Sequence, residues 1–212
     1  MKVWDLPTRL YHWLQAVLFI GLAATGFNGE GPHIYLGLAL FTLIMWRIVW
    51  GFIGSDTSRF KQFIASPKRT IAYLLGKEPS KAGHNPAGSW MVISMITTLF
   101  IQCISGLILA GIFDHIPYTE SILNDDVFDA VIIIHGICAR LLPALVGFHL
   151  FAILFYKLHA KPLVWAMITG VQKKVSHYQL HSNIVFASNK RALLVFVAVG
   201  LVTITIVATS QV

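Results

Sequence analysis

The stretch IIIHGICARLLPALVGFHLF, residues 132–151, is apolar enough to sit in lipid and yet carries His135, Arg140 and His149. Ionisable side chains are disfavoured in hydrocarbon, so each needs a partner or a purpose there. At 100° and about 1.5 Å per helical residue, the fourteen steps from His135 to His149 end within about 40° of the starting face, about 21 Å further along the axis. A helix over this segment therefore presents two imidazoles on one face at two depths.

The rest of the chain has the same character. Of its 212 residues 56% are apolar and only 12% charged, with a mean hydropathy of +0.71, a membrane composition. Apolar windows at 10–27, 34–53, 90–113, 127–156 and 192–208 are each long enough to cross a hydrocarbon core of about 30 Å. None shows the period-two alternation of barrel strands, and lipid leaves no other partner for backbone polar groups, so the windows read as helices. The expected fold is an all-α integral membrane protein, a four-helix transmembrane bundle with a fifth, C-terminal transmembrane helix. A core spans 1–157 and includes a basic cytoplasmic segment at 54–89; a cytoplasmic connection follows at 158–190, then the fifth helix at 191–212. The first window has no small-residue cleavage site and contains His12, which argues for a mature helix over a signal peptide.

A net charge of +7 invites a nucleic-acid reading, but the placement of the charges removes it. Every Lys and Arg except Arg140 falls at the amino-terminal side or at the second and fourth connections. Glu30, Asp114, Glu120, Asp125, Asp126 and Asp129 fall in the first and third. This asymmetry puts the N-terminus in the cytoplasm and the C-terminus outside, in a multi-pass membrane protein. Between the second and third windows, Phe60, Phe63, Ile64, Ile71, Leu74 and Leu75 suit a short helix or helix pair in the cytoplasmic interface, broken at Pro67. Cys103 and Cys138 lie inside predicted helices, with neither CxxC nor CxxCH, and read as buried packing thiols.

Topology sorts the nine histidines by depth. His33 and His135 fall near the outer surface, His12 and His149 toward the cytoplasm. Taken singly, any of them reads as a hydrogen-bonded residue of a bundle. Two pairs at matched depth on different helices instead suit a haem held between two imidazoles. One zinc or copper ion cannot unite His135 and His149 across about 21 Å. Small residues beside these histidines, Gly37, Gly136, Ala139 and Gly147, leave room for a wide ring or for ordinary helix packing. Arg140 suits either a haem propionate or a snorkelling cation paired with an acid such as Asp129, and Arg47 either the inner haem or topology alone. His84, followed by Asn85 and Pro86, reads as structural helix-start chemistry; His115, His159, His177 and His181 read as solvated surface.

The segments RLYHWLQAVLFIGLAATGF (9–27), HIYLGLALFTLIMWRIVWGFIGSDTSRF (33–60) and GHNPAG (83–88), with the His135 to His149 spacing, resemble the bacterial cytochrome b561 family. The likeness is strongest to the b-type cytochrome subunits of nickel-iron hydrogenases, covers roughly residues 3–157, and extends to SNKR at 188–191. It implies two noncovalent haem b groups ligated by His12, His33, His135 and His149, and electron exchange with the membrane quinone pool. A fifth helix departs from that four-helix pattern.

The function expected on these grounds is transmembrane electron transfer between quinone and a periplasmic redox partner: a c-type cytochrome, a hydrogenase or another reductase. Trp4, Trp13 and the basic segment are the candidate surroundings of a quinone near the inner haem. A superoxide oxidase is the alternative, disfavoured because an acidic outer surface repels that anion. A purely structural anchor would leave the paired histidines incidental.

Overall fold

A computed structural model describes residues 1–28, 31–78, 83–115, 118–159, 163–172 and 183–210. The helices are α1 (Leu6–Asn28), α2 (His33–Ile53), α3 (Phe60–Phe63), α4 (Pro67–Leu74), α5 (Pro86–Leu109), α6 (Thr119–Ile122), α7 (Asp125–Leu158), α8 (Leu163–Thr169) and α9 (Asn189–Thr209). Among the described residues there is no strand, only an isolated bridge between Lys2 and Val171. Four helices, α2, α5, α7 and α9, are long and apolar enough to cross a membrane. At 23 residues α1 has comparable length but carries Arg9, His12 and Gln15 along it.

Local chemistry explains where these elements begin. Asn85 caps α5, its Oδ1 accepting from Gly88 N at 2.7 Å, and Pro86 occupies the first turn, where a missing N–H goes unnoticed. Asn124 and Ser188 cap α7 and α9 in the same way. The interfacial segment forms two helices, and Pro67 starts the second of them, capped by Ser66. Ile71, Leu74 and Leu75 remain exposed there, an apolar edge suited to a lipid interface. In the connection after α7 the apolar run LVWAMIT folds as α8, too short to span. Ala166 of α8 packs on Val3 and Trp4, while Val3 N and Trp4 N both donate to Gly170 O. That helix was not anticipated in a polar connection.

Helix α2 is the centre of the bundle, packed against α1, α5 and α9, with α7 on α5. Leu40, Phe41, Leu43, Ile44, Trp46 and Trp50 of α2 supply half of the main buried cluster. The fifth helix, whose neighbour the sequence left open, lies on α2: Thr42 Oγ1 donates to Thr203 Oγ1 at 3.0 Å and Trp46 Nε1 to Ala192 O at 3.0 Å. Such bonds suit a lipid setting, where packing and polar contacts replace the hydrophobic drive between helices. The α2–α3 turn ties the end of the bundle together. There, Ser58 Oγ meets Thr8 Oγ1 at 2.6 Å, Thr57 Oγ1 donates to Val3 O at 2.8 Å, and Ser55 Oγ accepts from Ala187 N at 3.0 Å.

Candidate functional site

At one end of the bundle α1, α2, α5 and α7 enclose a cavity of about 430 Å³ lined by both His33 and His135. Most of the other lining is apolar, including Phe19, Leu22, Leu40, Leu99, Leu107 and Leu142, with Pro143 of α7 at its edge. Two glycines make room for the imidazoles. A Cβ on Gly26 would stand 3.1 Å from His33 Cε1, and one on Gly106 would stand 3.1 Å from His135 Cε1. These glycines sit on α1 and α5, across from the histidines, where the sequence reading had looked to small residues on the histidines' own helices. Of those, Gly37 and Ala139 do line the cavity, and Gly136 and Gly147 do not.

Hydroxyl and amide groups hold the two rings. Thr25 Oγ1 lies 3.0 Å from His33 Nδ1, and Ser105 Oγ lies 2.9 Å from His135 Nδ1. The Gln102 side chain donates through Nε2 to His135 Nε2 at 2.9 Å. None of the three was singled out in the sequence, where a Thr, Ser or Gln in an apolar helix carries no distinguishing pattern. Arg140 is exposed on α7 and is absent from the cavity lining. Cys103 is buried and lines the cavity; Cys138 is buried, and both are free thiols.

At the other end His12 of α1 and His149 of α7 face each other, ring centroids 6.3 Å apart and planes at 52°. The two rings thus come from different helices to one place in the bundle. Trp13 stands edge-on to His12 at 5.1 Å. His12 Nδ1 is buried with no hydrogen-bond partner.

Arg47, 3% exposed, lies beneath this pair's end of α2 with its guanidinium 5.1 Å from the Phe60 ring and 6.0 Å from that of Phe63. Its Nη1 is buried without a hydrogen bond. Next to it His84 is wedged between Trp4, edge-on at 4.7 Å, and Phe63 at 4.6 Å. Burial, then the fields of Arg47, His149 and His12, push the His84 pKa down to about 3. Asn85 and Pro86 do start a helix as expected, but the histidine before them joins the inner polar cluster. Among the surface histidines, His115 and His159 are exposed, while His177 and His181 lie outside the described residues.

The donor set decides what chemistry fits. Among the described residues no three His, Cys, Asp or Glu side chains gather, whereas a structural zinc takes four. Paired imidazoles on different helices, one pair lining a large apolar cavity, fit a flat hydrophobic ring with two axial nitrogens. The class so defined is a membrane helix bundle built to hold haem. The chain matches the prokaryotic cytochrome b561 family over residues 3–170, and it belongs to that family. It is accordingly a multi-pass membrane b-type cytochrome that takes part in electron transport. Neither curated proteins nor solved structures provide a match.

Proposed function

We propose that the chain carries two bis-histidine haems, one on His33 and His135 and one on His12 and His149, and passes electrons between the quinone pool and a periplasmic redox protein. The observation that carries this reading is the pairing itself: α7 offers one histidine to a partner on α2 and another, fourteen residues on, to a partner on α1. Haem, when bound, supplies the one-electron chemistry. The protein supplies the rest. Apolar side chains around His33 and His135 exclude water, and the helices fix the distance between the two tiers. Arg140, five residues inward of His135 and exposed, is the cation proposed for a propionate at the lipid-facing edge of α7.

In the proposed topology α1 is the first of five spans, the N-terminus is cytoplasmic and the C-terminus periplasmic. The distribution of Lys and Arg supports this. The quinone is placed near His12 and His149, where Trp13 and the apolar edge of α4 are exposed and Trp4 is buried behind them. The electron donor or acceptor outside is placed over the acidic end of the bundle, where Asp114 after α5 and Asp125, Asp126 and Asp129 in the first turns of α7 are exposed.

Haem counting tests the core of the proposal. Pyridine haemochrome analysis of the purified chain should return about two protohaems per polypeptide, from four histidine ligands at two per iron. A value of one or none removes the double-pair reading. Reduction of the haems by quinol should be lost in His12→Ala and His149→Ala; its survival there would place the quinone elsewhere.

A further inference from the structure

The rings of His33 and His135 are held from the side opposite their remaining lone pair, by hydroxyls whose own protons are already committed. Thr25 Oγ1 donates to Gly21 O at 2.9 Å, four residues back on α1. Ser105 Oγ donates to Gln102 O at 3.1 Å, three residues back on α5. With its one proton on that backbone carbonyl, each oxygen is left to accept from its imidazole, and each Nδ1 then carries the N–H. At His135 the Gln102 amide, with its NH2 group toward Nε2 at 2.9 Å, agrees with a lone pair on that nitrogen. Both histidines are thus set in the one neutral tautomer whose free lone pair is on Nε2.

We propose that Thr25 and Ser105 are positioning residues for the His33/His135 haem, each accepting the Nδ1–H of one axial histidine and so fixing Nε2 as its ligating nitrogen. The proposal rests on the reading of His33 and His135 as the ligands. Accepting the Nδ1–H makes an imidazole a stronger electron donor, which favours the ferric state and lowers the midpoint potential. The other tier lacks the device at His12, whose Nδ1 is buried and unpartnered. Thr25 and Ser105 therefore act on one haem of the two. Gln102 has a different part: its amide meets the Nε2 that would hold the iron, so it does not act through Nδ1.

The test is a redox titration of the full-length purified cytochrome, its two b components assigned by which one disappears in His33→Ala and which in His12→Ala. Thr25→Val and Ser105→Ala should each raise the midpoint potential of the component lost in His33→Ala, leave the other unmoved, and retain haem. Thr25→Ser and Ser105→Thr, which keep the hydroxyl, should return wild-type potentials. Unmoved potentials in both hydroxyl-deleted variants overturn the proposal, as does a shift confined to the component that depends on His12. If the hydroxyl-deleted variants lose that haem outright, its retention in both hydroxyl-keeping variants upholds the proposal and its loss from all four overturns it. Full haem content in both His33→Ala and His135→Ala would instead overturn the ligand reading beneath it.

Discussion

His84 is a titratable residue held neutral by where it sits, between the Trp4 and Phe63 rings and within the field of Arg47. Its folded pKa near 3 lies below the ordinary histidine value of 6.5. Between those two values the unfolded chain binds a proton that the folded chain does not, so stability is full above about pH 6.5 and falls as the pH drops toward 3. The slope from this one group reaches at most about 1.4 kcal/mol per pH unit. Thermal unfolding of the purified protein between pH 7 and 5 should show the decline, and His84→Phe should flatten it. At Gly26 and Gly106 the relevant property is the missing side chain. Gly26→Val and Gly106→Val should displace the His33 and His135 rings and lose the haem of that tier, as read in a spectrum of purified protein.

Helix α7 is the element on which both tiers are hung, and its 34 residues continue through Pro143 between the two histidines. Because each haem is proposed to have two protein ligands, members of a pair should share a phenotype. His33→Ala and His135→Ala should remove one spectral component, and His12→Ala and His149→Ala the other. If His33→Ala and His149→Ala removed the same component, the assignment by tier would be wrong. The α2–α3 corner depends on a close approach: a Cβ on Gly51 would lie 2.1 Å from Phe60 Cε2, and Phe60 in turn packs on Phe52, Phe63 and Arg47. Gly51→Ala should therefore force that ring out of place and lower stability by about 1–3 kcal/mol, measurable in thermal or denaturant unfolding in detergent.

For the whole molecule, charge separates the two ends. Arg47 is buried near the His12/His149 tier, and exposed acids gather from Asp114 after α5 to Asp129 in the first turns of α7. If those acids steer a basic redox partner, its association rate should fall steeply with salt and fall again in Asp125→Asn/Asp126→Asn, with haem content unchanged. A rate indifferent to both would mean that the acids reflect only the exclusion of Lys and Arg from that side. The chain taken alone determined a good deal at this scale. Long apolar windows set the membrane helices, because lipid acts on each segment separately and leaves its backbone one choice. Asn85 with Pro86, and Pro67, marked helix starts or breaks for reasons contained in a few adjacent residues. The tertiary structure alone decided the rest. Ser105 reaches His135 across 30 residues of sequence, and α9 lies on α2 through Thr203 and Ala192, because helix rotation and spacing bring those atoms together. No periodicity encodes such a contact, since the same Thr or Ser on another face of its helix would read identically in the sequence and bond to nothing but its own backbone.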